Sequence, residues 1–143
     1  MKHYKDLVFV LLILFAFVLA GCGPKGEVAL NVTGNVAKEK GWTEDQVKKM
    51  DTLDVEATNK DGDTKSYTGV LIMDLLDEAG LNADASAVVF VADDGYTAEI
   101  SLEELQACLD CILSFRTQGG FSSVMPEFSG KLQVKGVVEI QVK

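Results

Sequence analysis

The chain predicts a single α+β domain. Short runs of strictly alternating apolar and polar residues recur along it. Two helix-start signatures interrupt those runs, and one stretch carries the 3.6-residue period of a half-buried helix. Several strands with about three short helices between them make an α+β domain rather than a helical bundle or a pure sandwich.

The elements follow in order. Val28, Leu30 and Val32 alternate with Ala29, Asn31 and Thr33, a strand that Gly34 ends. Thr43 and Gln46 form a capping box for a short helix ending near Met50, with Trp42 and Val47 as its hydrophobic staple. Leu53, Val55 and Ala57 alternate with Asp54, Glu56 and Thr58 in a second strand. Residues 59–63 (Asn-Lys-Asp-Gly-Asp) read as a hairpin turn, since Asp-Gly readily supplies positive φ, and a return strand runs towards Tyr67. Ile72, Leu75, Leu76 and Ala79 share one face of a helix that Gly80 stops. Residues 87–92 are continuously apolar, as in a strand buried on both faces. Asp93-Asp94-Gly95 is a second tight turn, and residues 96–100 return as a strand. Ser101 and Glu104 cap a third helix, with Ile100 and Leu105 as its staple. At the end, Val138, Ile140 and Val142 are expected on one face, with Glu139, Gln141 and Lys143 on the other.

The first residues have a different character. Lys2 and Lys5 precede fourteen apolar residues, Leu7 to Ala20, and small residues then lead to Cys22. A basic start, an apolar middle and small residues make a secretory signal peptide. As a helix the apolar run would reach only about 21 Å, short of the roughly 30 Å hydrocarbon core. Leu19-Ala20-Gly21-Cys22 resembles the lipobox of a bacterial lipoprotein signal. That resemblance implies cleavage before Cys22, a diacylglycerol thioether on its sulfur, and a lipid-anchored life on the extracytoplasmic face of the cell membrane. The expected organisation is therefore a signal peptide at residues 1–21, a lipidated tether at 22–27 and one domain at 28–143.

Charge and missing residue types narrow the function. The chain carries 22 Asp and Glu against 13 Lys and Arg, a net charge of −9. Such a surface repels phosphate backbones, so nucleic acid is not an expected partner. Membrane attachment then rests on the lipid rather than on a basic patch. The only histidine, His3, lies in the signal segment, and Arg116 is the only arginine. The domain therefore has no imidazole base or ligand, which excludes Ser-His-Asp and Cys-His catalysis and the usual zinc sets.

Three segments carry a further resemblance. They are Tyr67-Thr68-Gly69-Val70 leading into Leu75-Leu76-Asp77-Glu78-Ala79-Gly80; Ala92-Asp93-Asp94-Gly95-Tyr96-Thr97-Ala98 leading into Ser101-Leu102-Glu103-Glu104-Leu105; and Val124-Met125-Pro126 with residues 134–140. In order and spacing the chain resembles the molybdopterin-binding domain of the sulfite-oxidase type of oxidoreductases, over nearly its whole length after the signal. The resemblance implies a mixed, curved β-sheet system. It also implies a molybdenum–pterin cofactor whose metal takes one cysteine thiolate, from the strand before the Tyr-x-Gly-Val segment. That strand here is Leu53-Asp54-Val55-Glu56-Ala57-Thr58, with no cysteine, and a carboxylate such as Asp54 is a harder, weaker donor to molybdenum. The basic residues that hold pterin phosphate and an oxyanion substrate in the family have no evident counterparts.

The expectation is therefore a non-catalytic binding or accessory module. No cofactor is expected, molybdopterin entering only through the resemblance. The expected partners are the membrane, through the lipid, and a small molecule or a membrane-bound redox protein. A minimal molybdopterin-dependent oxidoreductase and a thiol–disulfide partner are the alternatives.

Two groups of residues are candidates for chemistry. Tyr67, Asp94, Gly95 and Tyr96 would line a ligand pocket if the resemblance extends to the site; otherwise Asp94 and Gly95 are a plain turn beside a packed tyrosine. Cys108-Leu109-Asp110-Cys111 is open to three readings: buried thiols, a local disulfide, or a redox or metal pair. The pair falls near the end of the helix begun at Ser101, beside acidic residues, which lowers no thiol pKa, and it offers two ligands where a structural zinc needs four. No metal site is expected. Residues 59–63 lack the oxygen spacing and distal glutamate of an EF-hand, and Trp42 reads as a staple rather than a stacking platform.

Overall fold

The computed structural model describes residues 26–58 and 61–143. The signal segment, Cys22 and most of the tether lie outside them, as do Asn59 and Lys60 of the first turn. Among the described residues no helix is long and apolar enough to cross a membrane.

Nine strands and three helices alternate along the described chain. They are β1 (Leu30–Gly34), β2 (Lys40–Trp42), α1 (Glu44–Val47), β3 (Leu53–Thr58), β4 (Thr64–Leu71), α2 (Ile72–Ala79), β5 (Ala87–Ala92), β6 (Thr97–Ser101), α3 (Leu102–Ala107), β7 (Ile112–Phe115), β8 (Phe121–Val124) and β9 (Lys135–Val142), with a 3₁₀ turn at Gly130–Leu132 before β9. All nine strands form one sheet system whose main path runs β2-β1-β9-β8-β7-β4-β3, while β5 joins β9 and carries β6. Only β1 and β9 are parallel; every other pairing is antiparallel.

β9 is the junction. Its residues 139–142 pair with β1 and also with β5, so those two strands hold opposite edges. β8 pairs with Val137 and Lys135 at the start of β9, where β5 also reaches Val137. β8 and β1 must therefore share one edge of β9 and diverge from it, which curves the sheet. The β5–β9 register slips between Val91 and Ala92, and Val138 is the extra residue. The bulge turns Val138 outward and puts Val137 on the buried face in its place. Val137 is buried and Val138 is 38% exposed, which corrects the expectation that Val138, Ile140 and Val142 share a face.

The first helix-start reading holds in atomic detail, and the second holds by half, since the Glu104 carboxylate accepts from the Ser101 hydroxyl rather than from its N–H. The Thr43 hydroxyl accepts from Gln46 N, and the Gln46 side chain accepts from Thr43 N. Trp42 and Val47 are both buried in the main core, as a staple requires. Ser101 caps α3 through Glu104 N. α2 buries Ile72, Leu75, Leu76 and Ala79, and it ends at Gly80 with φ +75°. Its first N–H, on Ile72, finds the Cys111 carbonyl at 3.1 Å, so the chain before β7 closes the helix start.

The main core packs α1, α2 and α3 with Leu30, Val32, Phe90, Leu113, Phe121, Ile140 and Val142 of the sheet. β5 is buried along most of its length, as its unbroken apolar run implies. A smaller cluster, Val55, Ala57, Ile112 and Val124 with Tyr67 and Leu71 against it, covers another part of the sheet and reaches the cleft described next through Val124 and Tyr67.

β2, β7 and β8 are the elements without a sequence signal. β2 has three residues. Ile112, Leu113 and Ser114 of β7 are all buried, so no polar–apolar alternation marks the strand. The cue that does exist is Gly119-Gly120, both with positive φ, which turns β7 into β8.

Candidate ligand-binding cleft

The cleft arises where two pairings of different length share one strand. β4 pairs with β3 from Thr64 to Gly69 but with β7 only from Gly69 to Leu71. Beyond Gly69 the β7–β8 hairpin leaves β4, and residues 64–68 face the gap without a strand on that side. Unpaired strand backbone offers N–H and C=O groups to whatever enters.

Gly69 is the pivot of the gap. A β-carbon there would stand 2.2 Å from the Leu113 oxygen and 2.6 Å from the Ser114 α-carbon. Only glycine lets the two strands meet closely at that point.

Two adjoining hollows occupy the opening. One, of about 450 Å³, has Thr58, Tyr67, Ser122, Ser123, Gln133 and Lys135 among its walls, with Pro126 and Phe128 as apolar cover. The other, of about 430 Å³, is walled by Ser66, Tyr67, Thr68, Ser114, Arg116 and Lys135 among others. Tyr67, Ser122 and Lys135 belong to both, so the hollows form one bipartite cleft. β8 places Ser122 directly across from Lys135, the first residue of β9.

The walls are held by buried polar contacts. Ser123 is 1% exposed; its hydroxyl donates to the Leu132 carbonyl at 2.5 Å and accepts from Val134 N at 2.8 Å. This one side chain fixes both ends of the segment that presents Gln133. The Ser114 hydroxyl donates to the Ser122 carbonyl at 3.1 Å and ties β7 to β8 beneath the cleft. On the hairpin tip, Glu44 accepts from Gly120 N at 3.0 Å and pairs with Lys48 at 2.6 Å. The Lys48 hydrogen bond, then the Gly120 N–H, hold its carboxyl below the ordinary value of 4.5.

Of the residues singled out in the sequence, Tyr67 lines the cleft. Asp94 and Gly95 form the exposed turn between β5 and β6, and Tyr96 is 47% exposed beside it. None of these three is among the wall residues of the hollows described. Their part is indirect. Asp94 accepts from Tyr96 N, and the Tyr96 hydroxyl donates to the Lys131 carbonyl at 3.0 Å, behind Gly130 in the wall. Asp93 N donates to the Gly136 carbonyl at 2.8 Å, next to Lys135. The turn thus braces the segment that carries the wall.

Cys108 and Cys111 are joined in a disulfide that closes the link between α3 and β7, with α-carbons 5.6 Å apart. This replaces the reading of two buried thiols. Asp110 stands near both sulfurs, but the sulfurs are bonded to each other and present no thiolate to a metal. Ser122, Gln133, Lys135 and Arg116 are the cleft residues the sequence reading did not pick out. They converge only through the β8–β9 register and the splay of β4, which a local pattern does not encode.

The family model described as "Oxidoreductase molybdopterin binding domain" matches residues 23–143. No curated protein sequence matches the chain. Among solved structures, the sulfane dehydrogenase SoxCD from Paracoccus pantotrophus superposes with a TM-score of 0.68 at 17% identity. The match covers 79% of this chain and 37% of that one, so the likeness is one of fold, and the chain spans well under half of that protein.

Proposed function

The chain belongs to the oxidoreductase molybdopterin-binding domain family, and from that premise we propose that it is a non-catalytic member. It keeps the fold and the cleft as a ligand-binding or accessory module and is held by lipid on the outer face of a membrane.

The observation that carries this reading is the fate of sulfur. In the enzymes this chain resembles, the molybdenum of the pterin group takes one cysteine thiolate from the protein. Among the described residues both cysteines, Cys108 and Cys111, are spent in the disulfide. The strand where the family resemblance calls for the ligand, β3, reads Leu-Asp-Val-Glu-Ala-Thr. Of its two carboxylates, Asp54 already accepts from the Thr68 hydroxyl at 2.5 Å, and Glu56 is exposed across from Ser66. The cleft walls supply hydroxyls, amides and two cations but no thiolate. The residues present therefore do not provide the sulfur ligand that the group's metal takes in the family.

The Leu-Ala-Gly-Cys segment supports the anchor, with Cys22 as the lipidated residue. One acyl chain binds a membrane only marginally, and a diacylglycerol thioether supplies two. In a membrane-bound setting the module presents its cleft to a small molecule or to a redox protein alongside.

Thiol–disulfide exchange has less support. Cys111 is 2% exposed, and Cys108 is only half-buried, so an attacking thiolate reaches one sulfur at best.

The test is the metal content of the full chain purified from a host that makes molybdopterin. Molybdenum far below one atom per chain, with no cofactor absorption, supports the reading. Stoichiometric molybdenum overturns it and restores the minimal oxidoreductase.

A further inference from the structure

We infer that the bipartite cleft binds a small organic anion of dicarboxylate size, held between Lys135 and Arg116. The inference rests on the binding-module reading and adds the chemistry of the ligand.

The charge distribution points there. The chain has 22 acidic residues, yet none stands among the wall residues of either hollow. The two other clefts described differ: one is walled by Asp51, Asp74, Asp77 and Glu78, the other includes Glu27 and Glu44. Three lysines elsewhere are matched in ion pairs, Lys40 with Glu78, Lys48 with Glu44 and Lys143 with Glu99. Among the described residues Lys135 and Arg116 have no such partner, as is also true of Lys38, Lys49, Lys65 and Lys131, but only Lys135 and Arg116 share one hollow. The sole arginine of an acidic protein and an unmatched lysine therefore face one hollow of about 430 Å³. On the neighbouring strand Asp54 is held by Thr68 and Glu56 lies exposed across from Ser66, both outside the wall residues.

Physical chemistry supplies the rest. A guanidinium grips a carboxylate through two parallel N–H bonds, and an ammonium adds a point charge. Two cations across one small hollow suit two acid groups on one short skeleton better than a single ion. Tyr67 and Ser122 stand where the hollows meet, and their hydroxyls have no hydrogen-bond partner among the described residues, so they are free to bond the ligand body. The remote negative surface opposes binding weakly, since fields between exposed charges fade beyond about 8–10 Å at ordinary salt.

Calorimetric titration of the full chain in neutral detergent tests the inference. The probes are succinate, its neutral diamide succinamide, and inorganic phosphate. Succinate should bind saturably at one site, succinamide should not bind, and phosphate should bind more weakly than succinate. K135Q and R116Q should each weaken succinate by about tenfold, and K49Q, on another face, should leave it unchanged. Absent succinate binding overturns the inference, as do tighter binding of phosphate or equal losses in K49Q. The molybdenum content of the same sample separates the two ideas. Molybdenum-free protein that ignores succinate defeats the anion site alone, whereas molybdenum-loaded protein defeats the module reading beneath it.

Discussion

Replacing Gly69 by alanine should open the sheet at the root of the cleft. The new methyl would lie 2.2 Å from the Leu113 oxygen, 2.6 Å from the Ser114 α-carbon and 2.7 Å from the Leu113 carbonyl carbon, where ordinary contact begins at 3.4 Å. All three atoms are backbone, so no side chain can swing aside. β4 and β7 must separate by about 1 Å, across a pairing only three residues long. Overpacking of this kind costs about 1–3 kcal/mol. A strained ladder bond adds about 1 kcal/mol if one is lost. The sum is about 2–4 kcal/mol, or roughly 10 °C in Tm for a domain of this size. Urea unfolding of G69A should show a lower midpoint at unchanged slope. G95A is the control. Gly95 has φ +86° with nothing within 4 Å, so only backbone strain of about 1 kcal/mol applies. A G69A loss below about 1 kcal/mol, or no greater than that of G95A, would refute the close-approach argument.

Other perturbations have equally definite outcomes. Serine at both Cys108 and Cys111 removes a loop with a sequence separation of 3, and chain-entropy arithmetic gives a loss of about 2 kcal/mol; an unchanged urea midpoint would contradict it. S123A leaves the Val134 N–H and the Leu132 carbonyl without their bonds and should cost about 1–3 kcal/mol, with faster amide hydrogen exchange confined to residues 130–135; uniform exchange changes would count against the wall-pin role. Glu44 has a depressed folded pKa, so its stabilisation is in place above the unfolded value and is lost as pH falls through the folded one, below 4.5. The Gly120 amide resonance should therefore titrate with a midpoint under 4.5, and a midpoint at or above it would be the wrong sign.

The legible parts of the fold are those with local causes. β3 and the C-terminal half of β9 alternate because one face is buried, and α2 shows its period for the same reason. The Thr43 and Ser101 caps are chemistry between residues three apart, readable without any tertiary contact. β7 escaped because it is buried on both faces, and β2 because three residues make no pattern. Val138 misleads for a different reason: a bulge is a register event between two strands, and nothing in Lys135–Val142 alone reveals the extra residue. The cleft divides in the same way. Tyr67 could be singled out beside Gly69 in a recognisable segment, whereas Lys135 meets Ser122 only through strand pairing and Arg116 arrives on a hairpin tip. Asp94, Gly95 and Tyr96 share a segment with family likeness, and their place in the fold makes them a brace behind the wall.

The non-catalytic reading stands or falls on sulfur. The decisive measurement counts free thiols and molybdenum together on the full chain, purified without reductant from a molybdopterin-producing host. Cys108 and Cys111 should be oxidised, Cys22 should carry lipid, and free thiol and molybdenum should both be near zero per chain. One molybdenum per chain, retained through gel filtration, would make the protein a cofactor-bearing member of the family whatever the thiol count.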